Sequence, residues 1–214
     1  VKRVFAPDIF KQLCENNWNY AEPGILYWDN IRNFNLLQYD DDFEYAGVNP
    51  CAEEPLPAGG SCLLGSLNLA AFVDEDEWGP KFAFEDFEDA VELAVVALND
   101  VLDEGLPLHP LEEQRKSVAD WRQIGLGIFG LADMLIQLGC KYGSRDAKIL
   151  CHKIARTMAT AALRSSAKLA AEFGAYPKFN KDAVMSSRFF NEHFDDETWN
   201  LTDAFGLRNS QLLT

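Results

Sequence analysis

The chain has 214 residues, 48% hydrophobic and 25% charged, a balance that suits one sizeable buried core. Its 34 acidic residues against 19 basic ones leave a net charge of −15 with no basic patch, which argues against a nucleic-acid partner. No apolar run reaches the roughly 18 residues of a membrane span, and VKRVFAPDIF lacks the pattern of a signal peptide, so the expectation is a cytoplasmic protein without a membrane partner.

In chain order, residues 6 to 16 (APDIFKQLCEN) predict a short helix with Asp8 near its positive end. Residues 22 to 35 (EPGILYWDNIRNFN) predict a Pro-Gly turn followed by a second helix, and the acidic loop YDDDFEY comes next. The apolar run SCLLGSLNLAAFV, residues 61 to 73, is short and broken by Gly65, which predicts a buried strand. Apolar residues at 84, 87, 91, 94, 98 and 101 are spaced by three or four and predict an amphipathic helix over 84 to 102. The turn Gly105-Leu106-Pro107 closes it. Residues 146 to 172 repeat the helical spacing through Ala147, Leu150, Ile154, Met158 and Ala161. No repeat or linker divides the chain, and it reads as a single unit over 1–214.

Residues 125 to 130, GLGIFG, match G-x-G-x-x-G by letter. A dinucleotide site needs an apolar strand immediately before the glycines, whereas EEQRKSVADWRQ is charged and helix-favouring. The expectation is that these glycines let helices approach closely, or break a helix before LADMLIQLG. His109, His152 and His193 have no ligand-like neighbours, and Cys14, Cys140 and Cys151 fit core thiols in helices. Trp18, Trp28, Trp121 and Trp199 are scattered, as packing anchors are. The cysteines at 14, 51, 62, 140 and 151 include no C-x-x-C, so no metal site is expected, and an odd count suits free thiols.

The stretch V48-N-P-C-A-E-E54 concentrates chemistry. On an extended backbone Asn49, Cys51 and Glu53 would share one face, and Pro50 biases Asn49 toward that conformation in a rigid loop or strand tip. The plainer reading is a turn opened by Asn-Pro, with a buried thiol and solvated glutamates.

The longer string NPCAEEPLPAGGSCLLGSLNLAAFV, residues 49 to 73, resembles the finger-loop region of the catalytic subunit of ribonucleotide reductases. It is most similar to the adenosylcobalamin-dependent members. EPGILYWDNIRNFN before it, DWRQIGLGIFGLADMLIQLG after it and the closing GLRNSQLLT look like successive blocks of the same family, in the same order. The resemblance implies an α/β fold. This chain would be part of a ten-stranded α/β barrel, mainly helical with a few strands, with the finger loop at about 47–62 threaded through the barrel.

It also implies roles. Cys51 matches the thiyl-radical cysteine that takes the 3′ hydrogen of the ribose, Glu53 the base for the 3′-hydroxyl, and Asn49 an amide bonded to a ribose hydroxyl. Cys62 matches one half of the reducing dithiol. The radical would come from adenosylcobalamin, since N49-P-C-A-E53 resembles that branch; the alternative is a di-metal partner subunit. Implied partners are a ribonucleotide di- or triphosphate, a thioredoxin-like reductant, and a second copy joined through regions outside this chain.

Two departures accompany the match. Nothing upstream resembles the strand that carries the partner of Cys62, and the chain reaches NSQLLT without the phosphate-binding loop that follows in the family. The expectation is a middle fragment, inactive alone. Against this reading stand a non-catalytic helical scaffold or nucleotide-binding regulator that retains the motif, and a thiol hydrolase built on Cys51, which lacks a histidine near the motif.

Overall fold

The computed structural model describes residues 3–61 and 63–214, and the chain divides into two compact units, Val1–Ile31 and Arg32–Thr214. Helix α1, Ala6–Tyr20, has a proline in its first turn and Asp8 beside its positive end. It runs past the predicted limit at residue 16 because NNWNY contains no breaker, and it ends where Ala21 turns left-handed and donates its N–H to Asn17 O. None of its residues is buried; Cys14 and Trp18 are exposed, so neither is the core group the sequence suggested. The predicted second helix shortens to α2, Trp28–Asn33, because the Pro23-Gly24 region adopts no regular structure.

In the larger unit, β1 (Gly47–Val48) pairs antiparallel with β2 (Pro55–Leu56). The predicted strand over 61 to 73 divides into β3, Leu63–Asn68, and a 3-10 turn over Leu69–Phe72 opened by the Asn68 side chain, which accepts from Ala70 N–H. Strands β4 (Val73–Asp76) and β5 (Gly79–Phe82) form a second antiparallel hairpin. Helix α3, Phe84–Gly105, confirms the apolar spacing with one shift at its end: Leu102 is buried and Val101 is exposed.

Helix α4, Glu112–Trp121, absorbs the charged segment, and the GLGIF glycines belong to a strand, β6, Ile124–Phe129. The expected helix-to-helix contact at these glycines is therefore corrected. Gly125 and Gly127 alternate with Ile124, Leu126 and Ile128, a period of two, and the glycine that begins the next helix is Gly130, at φ +73. Because two of the three glycines lie inside the strand, the strand-to-helix turn of a dinucleotide site is not formed.

Helix α5 is Leu131–Gln137, and α6, Arg145–Phe173, starts at Ser144, whose hydroxyl accepts from Ala147 N–H at 3.1 Å. Three shorter helices follow, α7 (Lys181–Ser186), α8 (Arg188–His193) and α9 (Asp196–Phe205). Helices α3 and α6 pack together, with Val91, Val95 and Leu98 buried on α3, small residues including Ala161, Ala162, Ser165 and Ser166 buried on α6, and the Ser165 hydroxyl donating to Glu92 O at 3.1 Å. Trp121 is the buried tryptophan; Trp199 is 42% exposed, which corrects its expected role as an anchor. No helix among the described residues is long and apolar enough to cross a membrane.

Strand β3 runs parallel to β6, from Leu63↔Ile124 to Asn68↔Phe129, with α3 and α4 forming the crossover a parallel pair requires. The last residues extend this sheet beyond β6: Leu126 N–H donates to Leu212 O at 2.8 Å, and Thr214 N–H donates to Leu126 O at 3.2 Å. One face of the sheet lies on α3, where a Cβ at Gly65 would touch Leu98. The opposite face carries Leu64, Ser66, Gly125 and Gly127, and the β1–β2 hairpin packs onto it.

Candidate active site

Six residues, 49–54, join β1 to β2, and their hydrogen bonds explain their shape. Asn49 N–H donates to Glu54 O at 3.2 Å, Ala52 N–H donates to Asn49 O at 3.0 Å, and Glu54 N–H donates to the Asn49 side-chain oxygen at 3.0 Å. The segment is a closed turn with Ala52 in the left-handed region at φ +68, not the extended run that would place Asn49, Cys51 and Glu53 on one face by alternation. The three side chains share one loop because the loop closes on itself. The turn was the plainer of the two sequence readings, but its thiol is exposed and Glu54 is buried.

Each candidate residue has a distinct environment. Cys51 is a free thiol at the tip, exposed to solvent. Asn49 is half-buried and its oxygen is held by Glu54 N–H, which orients its NH2 group as the available donor. Glu53 is half-buried, and its Oε2 is buried without a hydrogen-bond partner among the described residues. A carboxylate oxygen in that state is a ready acceptor. Cys62 lies outside the described residues.

The hairpin is anchored from three directions. Gln211 donates its side-chain N–H to Pro55 O at 2.8 Å, so the NSQLLT block grips β2. Gly59, at φ +68, lies so close to Glu113 that a Cβ would meet Glu113 Cγ at 2.7 Å, which sets the loop after β2 against the start of α4. The Glu54 side chain, 1% exposed, rests over Gly125 of β6. Burial pushes the phenol of Tyr45 above its usual range, with the charge of Glu54 adding to the effect, so Tyr45 is neutral beside the carboxylate.

Surface cavities of about 400, 410 and 440 Å³ are lined by none of Asn49, Cys51 or Glu53. No three His, Cys, Asp or Glu side chains converge on a metal-like position among the described residues.

The whole chain, residues 1–214, matches the family model described as "Ribonucleotide reductase, barrel domain". The chain belongs to this family. It is 34% identical over 177 residues to a vitamin B12-dependent ribonucleoside-diphosphate reductase of Thermoplasma acidophilum, covering 83% of this chain and 22% of that protein. It is 34% identical over 179 residues to a Mycobacterium tuberculosis protein of the same name, covering 84% and 25%. A ribonucleoside-diphosphate reductase large subunit of African swine fever virus is 35% identical over 184 residues, covering 84% and 23%. The chain thus spans about a quarter or less of these relatives.

Within this reductase barrel-domain chain, sequence reasoning missed Glu54, Tyr45, Gln211 and Gly125 as parts of the site. One signal for Gly125 was available: I-G-L-G-I alternates glycine with aliphatic residues, which marks a strand with one bare face. Glu54 had none, because it differs from Glu53 only in which way the turn points it.

Proposed function

We propose that the chain is a central piece of a ribonucleotide reductase that converts ribonucleoside di- or triphosphates to deoxyribonucleotides by a radical mechanism. In this reading β3, β6 and the segment 211–214 are neighbouring strands of a ten-stranded α/β barrel, and the hairpin stands on its inner face. The observation that carries the reading is the closed loop itself: an exposed thiol, an oriented amide donor and an unengaged carboxylate oxygen within residues 49–54.

The roles are those that the family resemblance implies, and that arrangement is compatible with them. The Cys51 thiyl radical takes the hydrogen atom from C3′ and becomes a thiol, leaving a carbon radical. Glu53 Oε2 accepts the 3′-hydroxyl proton, and Asn49 NH2 donates to a ribose hydroxyl to hold the sugar in register. The 2′ oxygen departs as water, and two electrons come from a dithiol formed by Cys62 and a second cysteine outside this chain. Cys51 then returns its hydrogen atom to C3′. Adenosylcobalamin supplies the oxidant for Cys51. No role assigned here to a residue of this chain runs through that group.

A thioredoxin-like protein re-reduces the dithiol, and the full-length protein works in the cytoplasm, paired with a second copy through regions outside this chain. The test is an anaerobic assay of the purified full-length protein with and without adenosylcobalamin, following deoxynucleotide and cobalt(II). Formation of both without another subunit is the expected result. Activity that appears only with a metal-loaded partner subunit overturns the radical source and leaves the roles of Asn49, Cys51 and Glu53 intact.

A further inference from the structure

The Gly125 position has no room for a side chain. A Cβ there would collide with the Glu54 carboxylate and come within 2.7 Å of both Leu64 Cδ2 and Thr214 Cγ2. Glu54 in turn is bonded through its backbone in both directions to Asn49, by its N–H to the amide oxygen and by its carbonyl to the Asn49 N–H. A rigid path therefore runs from the floor of β6 through Glu54 to the amide and thiol at the loop tip.

We propose that Gly125 and Glu54 form a seat that sets the height of the hairpin above the sheet, making Glu54 a positioning residue for Cys51, Asn49 and Glu53. The absent side chain lets the Glu54 carboxylate lie directly on the strand. This also gives the first glycine of GLGIFG a function unrelated to nucleotide phosphates. Gly127 provides the internal comparison. It lies in the same strand and on the same face, but its Cβ would meet only the rotatable hydroxyls of Thr214, at 2.9 Å, and Ser66, at 3.3 Å, within close range. The two glycines carry the same change in strand propensity, and only one touches the hairpin.

The inference rests on the reductase reading for its kinetic arm and on geometry for its labelling arm. In the full-length protein, Gly125→Ala lifts the hairpin and lowers kcat by about 10²-fold, the scale of an ångström-sized misplacement, with KM changed far less. The alkylation rate of Cys51 by iodoacetamide, read by mass spectrometry, changes with it. Gly127→Ala leaves both close to wild type. Shortening Glu54 in the Gly125→Ala background, as Glu54→Asp, restores part of the loss, so the two sites are coupled in a double-mutant cycle.

Should Gly125→Ala not fold, Glu54→Asp alone, which leaves the strand untouched, reports the same seat through altered Cys51 alkylation and lowered kcat. Equal behaviour of Gly125→Ala and Gly127→Ala, a strictly additive cycle, or wild-type alkylation and kcat in Glu54→Asp overturns the seat. If the wild-type protein reduces no ribonucleotide, the functional reading fails separately, and the alkylation arm still decides the seat.

Discussion

At the scale of single residues, the proposed function gives the two cysteines of the motif separable roles. Cys51→Ser in the full-length protein is expected to abolish deoxynucleotide formation, because a serine O–H is a far poorer source of a hydrogen-abstracting radical. Cys62→Ser is expected to leave radical formation intact and to stop turnover with the physiological reductant; wild-type rates in either variant contradict the assignment. Asp40 offers a test of a different kind. Its carboxylate is 7% exposed, and Oδ2 has no hydrogen-bond partner among the described residues, while Oδ1 accepts from Asp42 N–H. Burial, opposed by that hydrogen bond and reinforced by neighbouring acids, raises its pKa above the usual carboxylate range. A raised folded-state pKa means that stability falls as pH rises from about 3.9 through the folded value, since the native state then holds the proton more tightly than the unfolded one. Asp40→Asn keeps the Oδ1 acceptor and removes the charge. It is expected to unfold at a higher temperature than wild type at pH 7, with the difference vanishing below about pH 4. An unchanged or lower melting temperature at pH 7 contradicts this.

At the scale of elements, the hairpin and the long helices differ in how they are held. Strands β1 and β2 have two residues each, and their connection relies on three internal hydrogen bonds and on contacts with distant parts of the chain. Ordering each backbone residue costs about 1–2 kcal/mol, which so small a ladder offsets poorly. Helix α3 instead buries Phe87, Val91, Val95, Leu98 and Leu102 along one stripe. Amide exchange over 41 to 62 is therefore expected to be fast compared with 84 to 102. Equal protection in the two segments contradicts this expectation. The same contrast explains what could be read beforehand. Helical periodicity located α3 and α6 within a few residues, since one face must be buried every three or four positions. A two-residue strand has no period to read, and β6 reads as a helix junction in the sequence because its glycines leave only three aliphatic positions to signal alternation.

At the scale of the whole molecule, a buried polar network ties the helical layer to the sheet. Arg122, left-handed at φ +49 where α4 ends, is bidentate to Asp103 at 2.5 and 3.0 Å and donates to Asn99 Oδ1 at 3.1 Å. Asn209 donates to Asn99 Oδ1 and to Arg122 O, and accepts from the Ser166 hydroxyl. Four distant segments thus meet around one guanidinium. The Arg122 hydrogen bond holds the Asp103 carboxyl below the usual carboxylate range. A depressed folded-state pKa gives stability that is present above about pH 4 and is lost as pH falls through the folded value. Asp103→Asn is expected to cost about 1–2 kcal/mol at pH 7, discounted because the Asp103 side chain is half exposed, and to flatten the acid limb of the stability profile. Urea titrations at pH 7 and pH 3 measure both, and an equal loss at the two values contradicts the linkage. The relatives are at least about four times as long as the matched region, so the isolated 214 residues are expected to show no reductant-dependent turnover.

The sequence by itself determined the family and the two long helices. N49-P-C-A-E53 with Cys62 and the blocks around it carried the family, and the apolar spacing carried α3 and α6. Only the tertiary structure decided how the motif is presented. Whether Asn49, Cys51 and Glu53 alternate on a strand or curl into a turn depends on bonds between Asn49 and Glu54, and the turn's position depends on Gly125 and Gln211, both far away in the chain. Local propensity reaches a few residues, whereas a carboxylate resting on a glycine from another strand is a contact that only folding creates.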